Sequence, residues 1–364
     1  MAAAATLPLD SAESLPDTTS NARPWLIGAR YDATLLIGSA IIVPIVLALV
    51  ALDIGGDYLD VAVTALVGGP HLFATFSAAA SNRAFRTRHP WAVPSAVLIP
   101  VLVAWLCFTN YQILISLFLG VASVHVLLQC AYISDLYRSR WKFAEGSWSR
   151  TIDYGVILTS MYPIALDKIS KGELRMGGAQ VIAPAFLMHP AAVRFEWFLF
   201  GAFLLAWCIK LAREIRGRRV NFPKTLLIAV TVILSFIVPG ATDADHMGLA
   251  FQAMNAWHSF QYLALIYALR YTRRREDHGR LSAKLSGLEG GAKYYFGNVA
   301  ITVLLFVAIK LYASWNPFGL TGGQNYYLFI LSPLLVHYYF DAFFFGESAP
   351  ASTNGSTLPA LAAT

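Results

Sequence analysis

The sequence predicts an all-α integral membrane protein, a bundle of about ten transmembrane helices with both termini in the cytoplasm. The first observation is composition: of the 364 residues 57% are hydrophobic and 13% are charged, and the mean hydropathy is +0.56. A soluble domain carries about 25% charged residues. The second observation is that the apolar residues form runs near the roughly 20 residues that a helix needs to cross the hydrocarbon core of a bilayer.

Ten such runs follow one another along the chain. The second of these runs, about 59–80, contains Gly68, Gly69 and Pro70. These residues should kink or thin the helix and let a neighbouring helix come close. The polar segment 1–24 has no basic region typical of a signal peptide; together with 347–364 it is predicted to be a disordered cytoplasmic tail, which leaves 25–346 as one transmembrane domain. The predicted helices are about 33–53, 59–80, 91–107, 111–137, 151–167, 193–213, 223–240, 247–270, 293–312 and 324–345.

The basic residues orient these helices and account for the net charge of +6. With the N-terminus in the cytoplasm, the cytoplasmic segments hold most of the 27 lysines and arginines, as the positive-inside rule requires. The charge is therefore an insertion signal, with contact to anionic lipids as a side effect, and not a nucleic-acid-binding surface. The basic residues predicted to lie outside are Lys168, Lys171, Arg175, Arg194 and Lys310.

Four histidines lie inside predicted helices. They occur in GGPHLFATF, VASVHVLLQC, AMNAWHSFQY and LLVHYYFDAF, on the second, fourth, eighth and tenth helices. These four helices all run from outside to inside, and each histidine lies well inside its helix. At a rise of 1.5 Å per residue they are roughly 17–21 Å from the outer ends. One layer near the bilayer centre is therefore predicted to contain His71, His125, His258 and His337.

Polar residues accompany these histidines on their own helices. Gln129 follows His125 at i+4, Asp341 follows His337 at i+4, and Tyr262 lies on the polar side of the eighth helix. A full charge at mid-membrane costs about 2.5–3.5 kcal/mol, and a neutral imidazole costs less. One such histidine is equally well explained as a hydrogen-bonded bridge between helices. Four histidines at one depth favour a bound metal, because a metal ion forms coordinate bonds with the lone pairs of their ring nitrogens.

The donor set indicates a transition metal. Histidine nitrogen with one carboxylate suits iron, copper or zinc, and does not suit magnesium or calcium. The four histidines are the expected ligands, and Asp341 is a fifth ligand or an orienting group. Asp341, Tyr262 and Gln129 are the candidate catalytic residues, the last two in the outer shell of the site. Non-haem iron is the first choice, ahead of copper and zinc, because a four-histidine site in an apolar chamber suits oxygen activation on a lipid-soluble substrate.

Two alternatives use the same residues. A haem takes two axial ligands, so a single haem in an electron carrier would leave two of the four histidines over. A transporter or proton-conducting protein could use His, Asp and Gln on facing helices without a metal. Against transport, only Asp135, Asp153 and Asp341 extend a charged path through the membrane toward the inside.

Two segments resemble a known family. GGPHLFAT is similar to the G-x-P-H signature of the bacterial and archaeal membrane β-carotene dioxygenases, the bacteriorhodopsin-related protein family, and WHSFQY is similar to a later aromatic-rich histidine segment of that family. In that family, histidines from several helices hold one iron, and oxygen splits the central double bond of β-carotene to give retinal. The resemblance implies that His71 and His258 are metal ligands, and more loosely His125 and His337.

The sequence thus predicts a multi-pass oxidoreductase of the cytoplasmic membrane, an iron-dependent oxygenase acting on an isoprenoid or acyl lipid. Its expected partners are the lipid bilayer and a lipophilic small molecule, not nucleic acid. An aromatic cluster that begins at Tyr338 could line the substrate chamber, although aromatic residues at a helix end more often form an interfacial belt.

Overall fold

The computed structural model describes residues 24–81, 83–241, 246–274 and 288–347. Within these ranges the chain is helical apart from connecting segments and one two-stranded hairpin, which confirms the all-α class. The predicted tails 1–24 and 347–364 lie outside the described residues except for their innermost residue. The helices of the described ranges that are long and apolar enough to cross a membrane are the seven spans Ala29–Ala51, Tyr58–Ser77, Ala92–Thr109, Tyr111–Arg140, Pro190–Arg216, Phe222–Gly240 and Ala292–Trp315.

The elements follow the predicted order. In the helix Ala29–Ala51 a π-helical turn, Asp32–Ile37, precedes a 3-10 turn, Gly38–Ile41. A second π-helical turn, Thr64–Gly68, joins the helices Gly56–Val63 and Gly69–Ser81. Strands β1, Arg175–Met176, and β2, Ala179–Gln180, lie between the helices Tyr162–Ser170 and Ala185–Met188. The helices are α1 Ala29–Ala51, α2 Gly56–Val63, α3 Gly69–Ser81, α4 Arg83–Arg88, α5 Ala92–Ala96, α6 Leu98–Thr109, α7 Tyr111–Arg140, α8 Ser147–Thr159, α9 Tyr162–Ser170, α10 Ala185–Met188, α11 Pro190–Arg216, α12 Phe222–Ile237, α13 Met247–Arg274, α14 Leu288–Trp315 and α15 Gly322–Glu347.

Three predicted transmembrane helices are not among the seven spans. Two of them, 247–270 and 324–345, lie within single helices, α13 and α15, of 28 and 26 residues. The third, 151–167, is divided between α8 and α9. Pro163 stands in the first turn of α9 and has no N–H to continue the hydrogen bonds of α8. The multi-pass architecture is therefore supported, and the count of ten and the direction of insertion stay predictions.

Burial separates a central helix from peripheral ones. In the most apolar window of α7, 56% of the residues are buried, against 6% for α11 and 17% for the span that contains most of α14. With three other helices α7 forms a ring of four, with contacts between α3 and α15, α15 and α7, α7 and α13, and α13 and α3. Since lipid tails are as apolar as leucine, the peripheral helices can present their apolar side chains outward while the ring encloses the polar ones.

The β-hairpin lies against one end of this ring, which is called the outer end below. Its strands contact α7 and α13. Gly177 and Gly178 form the turn with φ of 58° and 79°, as a two-residue hairpin turn of this type requires. The hydroxyl of Tyr111 donates to the carbonyl of Gly177 at 2.9 Å, and the side chain of Met176 is buried. The long connection between α9 and α11 therefore covers the ring.

Buried ion pairs join four elements at the opposite, inner end. Asp153 of α8 accepts from Arg138 of α7 at 2.6 Å, lies 3.2 Å from Nζ of Lys224 of α12, and pairs with Lys210 of α11. Glu145, in the α7–α8 connection, pairs with Arg138 at 3.0 Å and with Lys224. Burial by itself raises the pKa of Glu145, and the positive charges of Lys224 and Arg138 outweigh it and hold that pKa at about 2.

Candidate metal centre

The four histidines predicted to share one layer converge at the centre of the ring of helices. Nitrogen atoms of His71, His125, His258 and His337, one from each residue, all lie within 4.8 Å of one another. The imidazoles meet edge to face: the ring centroids of His71 and His337 are 4.3 Å apart, and those of His125 and His258 are 4.9 Å apart. All four residues are buried. This set is called the histidine cluster below.

The backbone before His71 brings α3 close to its neighbour. The π-helical turn Thr64–Gly68 ends there, and a Cβ added to Gly69 would lie 2.1 Å from Cγ2 of Thr302 on α14. Only glycine permits this approach, because a methyl group at that distance would force the helices apart. The predicted close contact at the Gly-Gly-Pro segment is confirmed, and it places His71 at the first turn of α3, inside the ring.

Asp341 lies in the site, as predicted. It is four residues after His337 on α15, on the same helix face, and is completely buried. Its Oδ2 is 3.5 Å from Nε2 of His337 and 3.7 Å from Nε2 of His125. One carboxylate oxygen therefore faces two imidazoles that belong to different helices. Its role as a fifth ligand or an orienting group stays a prediction.

Thr75 is a site residue that the sequence analysis did not select. Its hydroxyl donates to Oδ1 of Asp341 at 3.1 Å and lies 2.8 Å from the hydroxyl of Tyr262 and 2.9 Å from Nδ1 of His337. A hydroxyl donates one hydrogen bond and accepts two, so Thr75 accepts from Tyr262 and from Nδ1–H of His337. The lone pair of His337 is then on Nε2, on the side of Asp341. Thr75 follows His71 at i+4, which was the available signal.

The two other predicted catalytic residues occupy different positions. The ring of Tyr262 is 4.2 Å from that of His71, in addition to its contact with Thr75. Gln129 instead donates to the backbone carbonyl of His258 at 3.0 Å and to Oε1 of Gln261 at 3.1 Å. Its amide therefore ties α7 to α13 beside the cluster. A direct part in chemistry, for either residue, stays a prediction.

The cluster contains buried polar atoms that the protein itself does not pair. In the described part of the chain, both ring nitrogens of His71 and of His258, Nε2 of His337 and Oδ2 of Asp341 have no hydrogen-bond partner. Each such atom costs about 1–3 kcal/mol. Two nitrogens bound to one ion at about 2.1 Å are at most about 4.2 Å apart, close to the limit of 4.8 Å seen here. The donor set and its spacing therefore fit one transition-metal ion.

Comparisons with protein families, curated proteins and solved structures find no match for this chain. The function is therefore inferred from the chemistry of the site.

A cavity of about 90 Å³, open at its mouth, adjoins the histidine cluster. His71 and His258 form part of its wall, and most of the remaining wall is apolar or aromatic, including Phe306 and Tyr338. A second cavity of about 760 Å³ lies beneath the connection between α9 and α11, and Phe251 lines both. An apolar opening therefore reaches the imidazoles, and the larger apolar cavity adjoins it at Phe251.

Proposed function

We propose that this protein is a multi-pass membrane oxygenase in which the histidine cluster holds one non-haem iron and dioxygen oxidises a lipophilic substrate from the bilayer. The observation that carries the proposal is the convergence of four buried imidazoles, from four helices, beside an apolar cavity. Lone pairs left unpaired at mid-membrane are costly, and a bound metal ion removes that cost. Copper or zinc would satisfy the same imidazole donors, but histidines with a carboxylate and open coordination positions are typical of non-haem iron oxygenases.

The residues of the site have separate roles in the proposed reaction. The histidine cluster would hold the iron, with Asp341 as a further ligand or as the group that orients His125 and His337. When bound, the iron supplies the activation of oxygen. Thr75 keeps the proton of His337 on Nδ1, and Tyr262 completes the hydrogen bonds of Thr75. The apolar wall of the cavity excludes water, so that the substrate competes with little solvent for the reacting centre.

A dioxygenase is the favoured reaction class because it needs no external reductant. Both atoms of the oxygen molecule enter the products: one carbon–carbon double bond breaks and two carbonyl groups form, so that oxygen is reduced by the electrons of the substrate itself. The resemblance of GGPHLFAT and WHSFQY to the membrane β-carotene dioxygenases supports the same class.

The two alternatives have less support. A haem bound between two of the imidazoles would have to displace the other two, since all four lie together. Asp135 and Asp153, which would extend a cation path inward, are engaged in ion pairs with Arg138, Arg150, Lys210 and Lys224. A transported cation would have to break these pairs.

Metal analysis of purified protein tests the proposal. Protein from iron-replete cells should contain about one iron per chain and no Soret band, and His258→Ala and His337→Ala should remove the metal. His189→Asn is the matched control: His189 is exposed and caps α11 through Nδ1 at 3.2 Å from the amide of Ala191, a role that asparagine can keep. Full metal content in both cluster variants, or a Soret band, would contradict the proposal.

A further inference from the structure

The cavity beside the histidine cluster has polar side chains along one helix. Gln252, Asn255 and His258 follow one another at three-residue intervals on α13, and all three line the cavity. At 1.5 Å per residue, Asn255 lies about 4.5 Å and Gln252 about 9 Å from His258 along the helix axis. A polar wall therefore runs from the proposed metal centre toward the outer end of the ring, facing apolar residues such as Leu305 and Phe306.

Hydrogen bonds hold this wall in position. The amide of Gln252 donates to Oδ1 of Asp60 at 2.5 Å, the hydroxyl of Tyr326 donates to Oδ2 of Asp60 at 2.9 Å, and the amide of Asn255 donates to Oε1 of Gln252 at 2.9 Å. Gln252, Asn255 and Tyr326 line the cavity, and Asp60 lies behind them. These three lining residues are called the polar anchor below.

The polar anchor retains hydrogen-bonding capacity toward the cavity. A side-chain amide has two N–H donors, and the hydrogen bonds just described use one on Gln252 and one on Asn255. The hydroxyl of Tyr326 is bonded to Asp60 and to Thr64, whereas the side-chain oxygen of Asn255 accepts from Ser259 at 3.4 Å and has a second lone pair. A ligand group that both donates and accepts therefore finds complementary partners on Gln252 and Asn255.

Charge defines which polar group fits. Among the described residues that line the cavity there is no lysine, arginine, aspartate or glutamate. The charged group in contact with the polar anchor is Asp60, which is acidic. A carboxylate or phosphate headgroup would be buried without a cation and beside a carboxyl group, which is unfavourable. A pure hydrocarbon would cover the amides without replacing the hydrogen bonds that they can make to water.

We infer that the substrate is an uncharged lipid alcohol with a long unsaturated chain. Its hydroxyl binds the polar anchor, and its chain lies along Leu305 and Phe306 toward the histidine cluster. The position that reacts is then an internal carbon roughly 5–9 Å from the hydroxyl, and the hydroxyl itself is not oxidised. The identification of the cluster as the reacting centre depends on the proposed function; recognition of the alcohol does not.

Binding of three matched probes tests this inference. Farnesol, farnesene and farnesoic acid share a chain and differ at the end group, and each is added at the same mole fraction to protein in lipid nanodiscs. A ligand that binds the native state raises its unfolding temperature, and titration of that rise gives the affinity. Farnesol should bind about tenfold more tightly than farnesene, as one or two net hydrogen bonds would give, and farnesoic acid should bind no better than farnesene.

Variants locate the preference in the polar anchor. Gln252→Leu and Asn255→Leu should reduce the ratio of farnesol to farnesene affinity to about one. Thr302→Val is the control, because Thr302 lines the same cavity but its hydroxyl donates to the carbonyl of Asn298 at 2.7 Å in its own helix. It should keep the wild-type ratio.

The outcomes separate this inference from the proposed function. Three results would overturn the inference that the substrate is an alcohol bound by the polar anchor. They are equal binding of farnesol and farnesene by the wild-type protein, tighter binding of farnesoic acid, and a preference for farnesol that is unchanged in both leucine variants. The same titration on chelator-treated protein should retain the preference, because none of the anchor residues belongs to the histidine cluster. If the protein never bound metal but still preferred farnesol, the proposed oxygenase function would be refuted, and recognition of the alcohol by the polar anchor would still be supported.

Discussion

Replacement of Thr75 by valine removes the hydroxyl that connects three residues of the site. The change preserves the shape of the side chain, and it deletes the acceptor for Nδ1–H of His337 and for Tyr262, as well as the donor to Asp341. Tyr262 lies 3.4 Å from Oδ1 of Asp341 and can donate to it directly. Tyr262 and Asp341 can therefore pair with each other, and Nδ1–H of His337 is left without an acceptor.

The expected loss follows from that single unpaired donor. A buried group without its partner costs about 1–3 kcal/mol of folding stability. His337 can relieve the cost by moving its proton to Nε2, which removes the lone pair that a metal needs. Loss of a group that orients a metal ligand typically lowers metal affinity about 10–100-fold, equal to about 1.4–2.8 kcal/mol. Both effects are expected together in Thr75→Val.

Competition with a chelator of known affinity measures the change, with thermal unfolding as the stability assay. Thr75→Ser keeps the hydroxyl and should stay within about threefold of the wild-type metal affinity. Thr231→Val is the buried control: Thr231 is as inaccessible as Thr75, and its hydroxyl donates to the carbonyl of Leu227 in its own helix at 2.8 Å. If Thr75→Val bound metal as tightly as Thr231→Val, the inferred protonation of His337 would be wrong.

Three further predictions concern the cluster, the close helix contact and the inner ion pairs. Removal of the metal by a chelator should lower the unfolding temperature, and metal at 1,000 times its Kd should restore about 4 kcal/mol; an unchanged transition would argue against a specific site. Gly69→Ala should cost about 1–3 kcal/mol by overlap with Thr302, and Thr302→Gly should recover part of it in the double variant. Glu145→Gln should cost about 2 kcal/mol in denaturant unfolding near neutral pH, less than a fully broken buried pair, because Asp153 still pairs with Lys224.

The pH dependence of the last variant has a definite sign. The pKa of Glu145 is held at about 2, below its ordinary value of 4.5. Its contribution is therefore complete above pH 4.5 and is lost as the pH falls toward 2. The difference in stability between wild type and Glu145→Gln should be constant from pH 5 to 7 and should shrink below pH 4.5. A difference that grew on acidification would contradict the assignment.

Sequence reasoning located the four histidines but did not select the threonine that is hydrogen-bonded to one of them. His71, His125, His258 and His337 were identifiable because an imidazole in an apolar run is conspicuous, and because helix rise converts sequence position into depth. Thr75 has the i+4 spacing from His71 as its one signal, and it was not selected because a threonine in a membrane helix usually bonds to its own backbone. Its three partners come from α13 and α15. Gln129 was placed on the same face of α7 as His125. Its partner is the backbone carbonyl of His258, and because every residue has such a carbonyl the sequence does not indicate which one is bound.

What the sequence by itself determined is the membrane environment, the all-α class and the common depth of four histidines, because hydropathy and helix rise are properties of each segment alone. Only the tertiary structure decided that the imidazoles face one another across less than 5 Å, that the α9–α11 connection covers the ring, and that Gln252, Asn255 and Tyr326 form the polar wall of a cavity. These three features depend on how packed helices are rotated and how closely they approach. Contacts between helices, such as that of Gly69 with Thr302, set the rotation and the distance, and the periodicity within one helix does not specify them.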